Sequence, residues 1–278
     1  MFDMSNSIKF RFFLICCVPL LSGVTACSVK ESRGDCPVYI NINFDEVIAR
    51  GQYDEGFVAV DDRAPLLGEE LRLREYELTG YEIPARRGPV RMAAAFDYES
   101  YSWHDDTLRV KEGAESSRLF VWSERAVCDD DLYFTAVSPF KQYCLMNVII
   151  VGLLPGEDFA YDIRLKGNCN GMALYDRDPV EGDYTVVASH KNASGYEVVI
   201  PRQRENRIIL ELLEPNRDHI YTDSDIISVL DVGAAMEAGG YDWEKVNLDD
   251  VNVVVDFSRM QASIEVVPWN ENEIDAII

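Results

Sequence analysis

Seven cysteines and three histidines are the side chains of this 278-residue chain best suited to covalent or metal chemistry. Cys16 and Cys17 lie in an apolar N-terminal run, Cys27 lies just beyond it, and Cys36, Cys128, Cys144 and Cys169 are spread through the rest. The last four form an even set, which in an oxidising compartment reads as a disulfide framework with three pairings open. Cys128 with Cys144 is the local pairing. Zinc is the rival use of such thiols, but no C-x-x-C pair and no neighbouring histidine completes a tetrahedral site. His104 precedes Asp105 and Asp106 in what reads as an exposed acidic loop, and His190 reads as a turn residue at a strand end. His219 stands in the oxygen-rich stretch from Asp218 to Asp225, which lacks the spacing and glycine of an EF-hand. Asp129-Asp130-Asp131 reads as a solvated loop. No G-x-S-x-G elbow, H-E-x-x-H or phosphate loop is present, and nothing sets two carboxylates at a catalytic separation. No catalytic residue, metal or cofactor is therefore expected. Tyr98, Tyr101 and Trp103 cluster in sequence, and aromatic faces stack on sugars, so a surface glycan-binding lipoprotein is the alternative reading.

The N-terminus carries the sharpest signal. Lys9 and Arg11 precede the apolar run Phe12 to Leu21, then small residues Ser22-Gly23-Val24-Thr25-Ala26 lead to Cys27. A basic n-region, a short apolar h-region and a small-residue cleavage site define a signal peptide, here residues 1–26. The apolar run is shorter than the ~20 residues a spanning helix needs. Val24-Thr25-Ala26-Cys27 resembles a bacterial lipobox, which implies lipid attachment at the Cys27 thiol, palmitate on its new amino group and an outer-membrane address. An ordinary signal peptide followed by an incidental cysteine is the competing reading. Residues 27–35 are polar and read as a tether.

Acids outnumber bases 49 to 26, a formal net charge of −23. Removing residues 1–26 takes away Asp3, Lys9 and Arg11 and leaves 48 acids against 24 bases, or −24. Such a surface repels nucleic acid, which binds by phosphate neutralisation. Beyond the tether the pattern is strand-rich. Tyr39 to Phe44 alternates apolar and polar, as do Val251, Val253, Val255 and Phe257 near the end. Residues 90–96, 118–122, 132–137, 145–153, 159–165, 171–175, 184–188, 196–200 and 207–213 are further strand candidates separated by turn residues. Arg50 to Leu67 reads as a loop, and Leu71 to Leu78 as a short helix or an edge strand. One helix is expected, capped by Ser224, running through Ile226, Ile227, Val229, Leu230, Ala234 and Met236, and ended by Gly239-Gly240. Short strands at such spacing predict an all-β fold, with a new unit opening near Lys141.

Several of these stretches together resemble the FimB-like anchor and minor subunits of fimbriae in Bacteroidetes type V pili. Asp35-Cys36-Pro37 enters the first strand. Ile83 to Ala94 is similar to the turn and following strand of the family's N-terminal domain. Gln142 to Val148 and Tyr161 to Gly171 are similar to the start of its second domain, and the helix with the Trp243 to Trp269 end is similar to its C-terminal pattern. The resemblance implies two transthyretin-like β-sandwich domains, 36–140 and 141–278, the second with one short helix. It also implies a non-enzymatic role as a fimbrial anchor or accessory subunit at the cell surface or fimbrium, joined to a shaft subunit (fimbrillin) by β-strand exchange. No small-molecule ligand is expected. The chain runs nine residues past Trp269, to Ile278, where Ile274, Ala276, Ile277 and Ile278 would suit either a donated strand or a packed terminus.

Overall fold

The computed structural model describes residues 36–270, apart from residues 52, 62–66, 154–158, 193–194, 217 and 219. The expected signal peptide, Cys27 and the expected tether, the turn expected at Leu154-Pro155-Gly156, His219 and the tail from Glu271 to Ile278 lie outside the described residues. The chain opens with β1 (Val38–Asn43) and a one-turn helix, α1 (Asp45–Ala49). Then come β2 (Glu55–Asp61), β3 (Leu67–Arg72), β4 (Tyr81–Ala85), β5 (Gly88–Phe96), β6 (Tyr101–His104), β7 (Thr107–Val110), β8 (Phe120–Cys128), β9 (Leu132–Ala136) and β10 (Phe140–Lys141). The second half runs through β11 (Tyr143–Val151), β12 (Asp162–Ala173), β13 (Asp178–Val187), β14 (Ser189–Asn192), β15 (Gly195–Pro201) and β16 (Ile209–Leu213). It ends with β17 (Ile226–Asp231), α2 (Val232–Ala238), β18 (Asp250–Asp256) and β19 (Gln261–Val267). The fold is all-β, two sandwiches with minimal helix.

The first sandwich packs a three-stranded sheet, β4-β1-β9, on a five-stranded sheet, β10-β8-β5-β2-β3. The period of two in β1 explains its role: Val38, Ile40 and Ile42 point inward and are fully buried, and Tyr39 points out. They meet Val58, Val60, Met92, Ala94, Phe96 and Trp122 from the larger sheet. The opposite face of that larger sheet is also buried. Phe57, Ala59, Ala93, Ala95, Leu119 and Val121 belong to the second core. A strand covered on both faces does not alternate. That is why β2 lies hidden in a stretch whose glycines and acids read as a loop. The segment 71–78 is both of its expected alternatives in turn, the end of edge strand β3 and then a 3-10 turn over Leu73–Tyr76.

The second sandwich packs β14-β15-β11-β18-β19 on β17-β16-β12-β7-β6, with β13 on the other edge of β12. Its core is built from Met146, Val148 and Ile150 of β11, Val251, Val253 and Val255 of β18, and Ile163, Leu165, Leu210 and Leu212 across the way. The hairpin β6–β7 comes from early in the chain yet pairs with β12, Met172 opposite Leu108. All these strands lie in one compact unit from Pro37 onward.

The expected helix is half strand. Ile226 to Asp231 pairs antiparallel with β16 as β17, and only Val232–Ala238 is helical. Apolar residues at 226, 227, 229 and 230 fit a helical stripe, but three of the four are β-branched and a sheet edge was available to them. The cap is accordingly Asp231, whose Oδ1 accepts from Ala234 N at 2.9 Å. Thr222 and Asp225 instead form a capping box on a 3-10 turn at Asp223–Asp225. Gly233 fixes where α2 docks: a Cβ there would lie 1.9 Å from the Asn206 carbonyl oxygen.

Asp97, at the end of β5, has φ of 53°, and its carbonyl accepts from Ser117 Oγ. Burial, aided by the charge of Glu99, pushes its carboxyl up to about 6. The native state therefore holds this proton more tightly than the unfolded chain, whose aspartates titrate near ~3.9. Stability falls as pH rises through that window and stays lower above it. Asp97→Asn, which suits the same backbone region, is expected to raise the urea midpoint near ~pH 7.5 and leave it unchanged near ~pH 3.5.

Candidate functional site

Sheet edges are the exposed chemistry of an all-β surface, because their outer N–H and C=O groups lack sheet partners. Several edges are blunted. β10 has two residues, β6 has four, β14 is polar and irregular, and β3 carries Glu69, Glu70 and Arg72. Two are not. Among the described residues β9 pairs only with β1, in parallel, setting Leu132 opposite Tyr39 and Phe134 opposite Asn41. Leu132 is 51% exposed and Phe134 69%, so the edge and the sheet face beside it are apolar. Among the described residues β17 pairs only with β16, and it presents Ile227 and Val229 outward. The sequence marked residues 132–137 as a strand. Its edge position follows from the topology, which single-strand patterning does not reveal.

Arg87 orders the entrance to β9. Its guanidinium donates to the Asp131 carboxylate and to the Asp129 carbonyl. The acidic triplet is thus a shaped turn. On its inner side, Tyr133 Oη donates to Glu124 Oε1 at 2.5 Å, and Thr135 Oγ1 also donates to Glu124.

The cysteine expectation needs correction. Cys128, Cys144 and Cys169 are buried free thiols, and no local Cys128–Cys144 bridge exists. The reason is topological: Cys128 ends β8 in the first core, whereas Cys144 opens β11 in the second. Burial pushes the Cys144 thiol up to about 12 and raises Cys128 and Cys169 as well. All three stay protonated and unreactive near neutral pH. Cys36 is exposed at the start of the described chain.

The other singled-out residues are absorbed by the fold. His104-Asp105-Asp106 is the tight turn of the β6–β7 hairpin, with His104 opposite Thr107. His190 lies in β14 against the Tyr196 ring, 4.2 Å between centroids. Among the described residues no group of three histidine, cysteine or acidic side chains is arranged to hold a metal. The three aromatics do not form a sugar platform. Tyr101 is buried with Oη bonded to Ser116 Oγ, while Tyr98 and Trp103 pack on Phe57 at 6.0 and 4.8 Å. Among the described residues no helix is long and apolar enough to cross a membrane.

A polar knot missed in the sequence ties β10 to β18. Lys141 is fully buried, and its Nζ donates to Asp250 Oδ1 at 2.5 Å and to the Leu248 carbonyl at 3.0 Å. The ammonium also sits over the rings of Tyr143 and Trp269, 4.5 and 4.9 Å from their centroids. The Trp269 backbone N–H donates to Asp249 Oδ1 at 3.0 Å. The residue that closes the C-terminal strand is therefore pinned beside the first sandwich, against Phe120. A lone lysine between Phe140 and Tyr143 was the available signal.

No family model and no curated protein matches this chain. Solved structures share its fold. The fimbrial anchor protein Mfa2 from Porphyromonas gingivalis is 13% identical, with a TM-score of 0.53 over 84% of this chain and 98% of that one. A candidate adhesin from Bacteroides ovatus is 11% identical, with a TM-score of 0.56 over 84% and 94%. A candidate polysaccharide-binding protein from Bacteroides thetaiotaomicron is 11% identical, with a TM-score of 0.55 over 86% and 99%. The chain has the fold of these adhesin and fimbrial-anchor structures across nearly their whole length.

Proposed function

We propose that this chain is a lipid-anchored member of the FimB-like fimbrial anchor and accessory subunits. In this reading it is cleaved before Cys27, lipidated there and held at the outer membrane, with its two sandwiches carrying the fimbrial contacts. Its partner is a shaft fimbrillin, joined by β-strand exchange. No catalytic step is required. The near-full-length likeness to a protein that is itself a fimbrial anchor carries the proposal. The Val24-Thr25-Ala26-Cys27 motif supplies its membrane end. The open apolar edge of β9 supports its polymer end, since an exposed strand adds a partner strand through main-chain hydrogen bonds.

The test is copurification of the full chain with a fimbrillin from detergent-solubilised outer membranes. Association that is lost on deleting Asn270 to Ile278 identifies the tail as the donated strand. Association that survives the deletion but is lost in Phe134→Lys identifies β9 as the acceptor. Recovery of the chain with no fimbrillin under any condition sinks the proposal.

A further inference from the structure

Between the β12–β13 turn, the end of β15 and the segment after α2 lies a cleft of about 510 Å³. That volume falls within the ~300–1,000 Å³ of small-molecule sites. The guanidiniums of Arg177 and Arg202 line the cleft, and among the described residues neither forms a salt bridge. Arg202 is 7% exposed, and every bond it makes goes to a neutral oxygen: Gln142 Oε1 at 2.8 Å and the carbonyls of Trp243, Lys245 and Val246. Burial pushes Arg202 down to about 10, and the charge of Arg177 acts in the same direction. Arg177 lies over the Phe140 ring at 4.7 Å, and its buried Nε has no hydrogen-bond partner.

The other charges around the cleft are accounted for or exposed. Asp176 pairs with Arg125, Arg204 with Glu181 and Lys245 with Asp249. Asp178 and Glu244 stand exposed at the rim. A buried cation facing a second unpaired cation is costly, and one carboxylate seated between them relieves both. The rim acids select what carries that carboxylate. They repel a bare multivalent anion but accept hydrogen bonds from hydroxyl groups.

We propose that this cleft binds an acidic saccharide unit, with its carboxylate on Arg177 and Arg202 and its hydroxyls donating to Asp178 and Glu244. The site is separate from the β9 edge and does not depend on the anchor reading. It revises the expectation that the chain has no small-molecule ligand.

The experiment is isothermal titration of the full chain in detergent with digalacturonate. Neutral digalactose, acetate and triglutamate serve as separate arms. Saturable binding of digalacturonate alone is expected. Arg177→Gln is expected to weaken it about tenfold or more, as for loss of a charge-assisted pair. Arg177→Lys, which keeps the charge but loses the planar fork, is expected to fall between. Arg177→Gln also gives up the contact with the Phe140 ring, so its urea midpoint is measured alongside and affinities are compared where both proteins are fully folded. No binding of digalacturonate overturns the proposal. So does equal binding of the neutral sugar, acetate or triglutamate, or unchanged affinity in Arg177→Gln.

Discussion

Lys141→Ala is expected to destabilise the protein by about 3 kcal/mol or more, at the level seen when one partner of a buried ion pair is removed. The substitution leaves Asp250 accepting from the Leu145 backbone N–H at 2.7 Å with its ammonium gone. It also strands the Leu248 carbonyl and opens a void between Tyr143 and Trp269. The Asp250 side chain keeps 23% exposure, so solvent screening holds the charge contribution toward the low end of the range. Lys141→Met separates the two effects, because it keeps the stem between the rings and removes the charge together with its hydrogen bonds. It should lose less than Lys141→Ala, and Lys141→Met with Asp250→Asn should recover part of that loss. Urea midpoints at unchanged slope are the measurement. A Lys141→Ala midpoint equal to wild type would show that the knot contributes nothing.

The second large effect is expected at Cys27. A single acyl chain gives marginal membrane binding. Each buried methylene adds about 0.8 kcal/mol, so a diacylglycerol plus an amide-linked chain holds firmly. In the proposed reading, Cys27→Ala removes the thiol on which all of this depends. Palmitate labelling should fall to background, and the protein should leave the membrane fraction. Residues 1–26 should remain attached, or be cut by a different peptidase at a different bond, so the mass of the product is a second readout. A Cys27→Ala protein that still labels and still pellets with membranes would mean that another segment anchors the chain.

Much of the fold was legible because alternation is a direct trace of one-sided burial. β1 shows it from Ile40 onward, and β18 shows it at Val251, Val253 and Val255, with Val254 the exception. The failures share a cause: neighbours that a single sequence does not contain. β2 reads as a loop because both of its faces are covered, so no period survives. β17 reads as a helix because Ile226, Ile227, Val229 and Leu230 fall at helical spacing, and only pairing with the edge of β16 makes the segment a strand. The cysteine count suggested bridges, but Cys128 and Cys144 are drawn into different cores. Tyr101 and Trp103 looked like a platform, and the pairing of β7 with β12 draws them into packing instead. The candidate interaction edge was legible as a strand and illegible as an edge. Arg177 and Arg202 lie far enough apart in sequence that only the fold brings their charges together.

The anchoring claim is tested most directly by where fimbriae go when the tether is cut. In cells lacking this gene and complemented with the wild-type chain, fimbriae should remain with the cells after shearing and gentle washing. In cells complemented with Cys27→Ala, the same fimbriae should be recovered largely from the medium, with shaft subunits still assembled. Equal retention on cells in both strains would contradict the account.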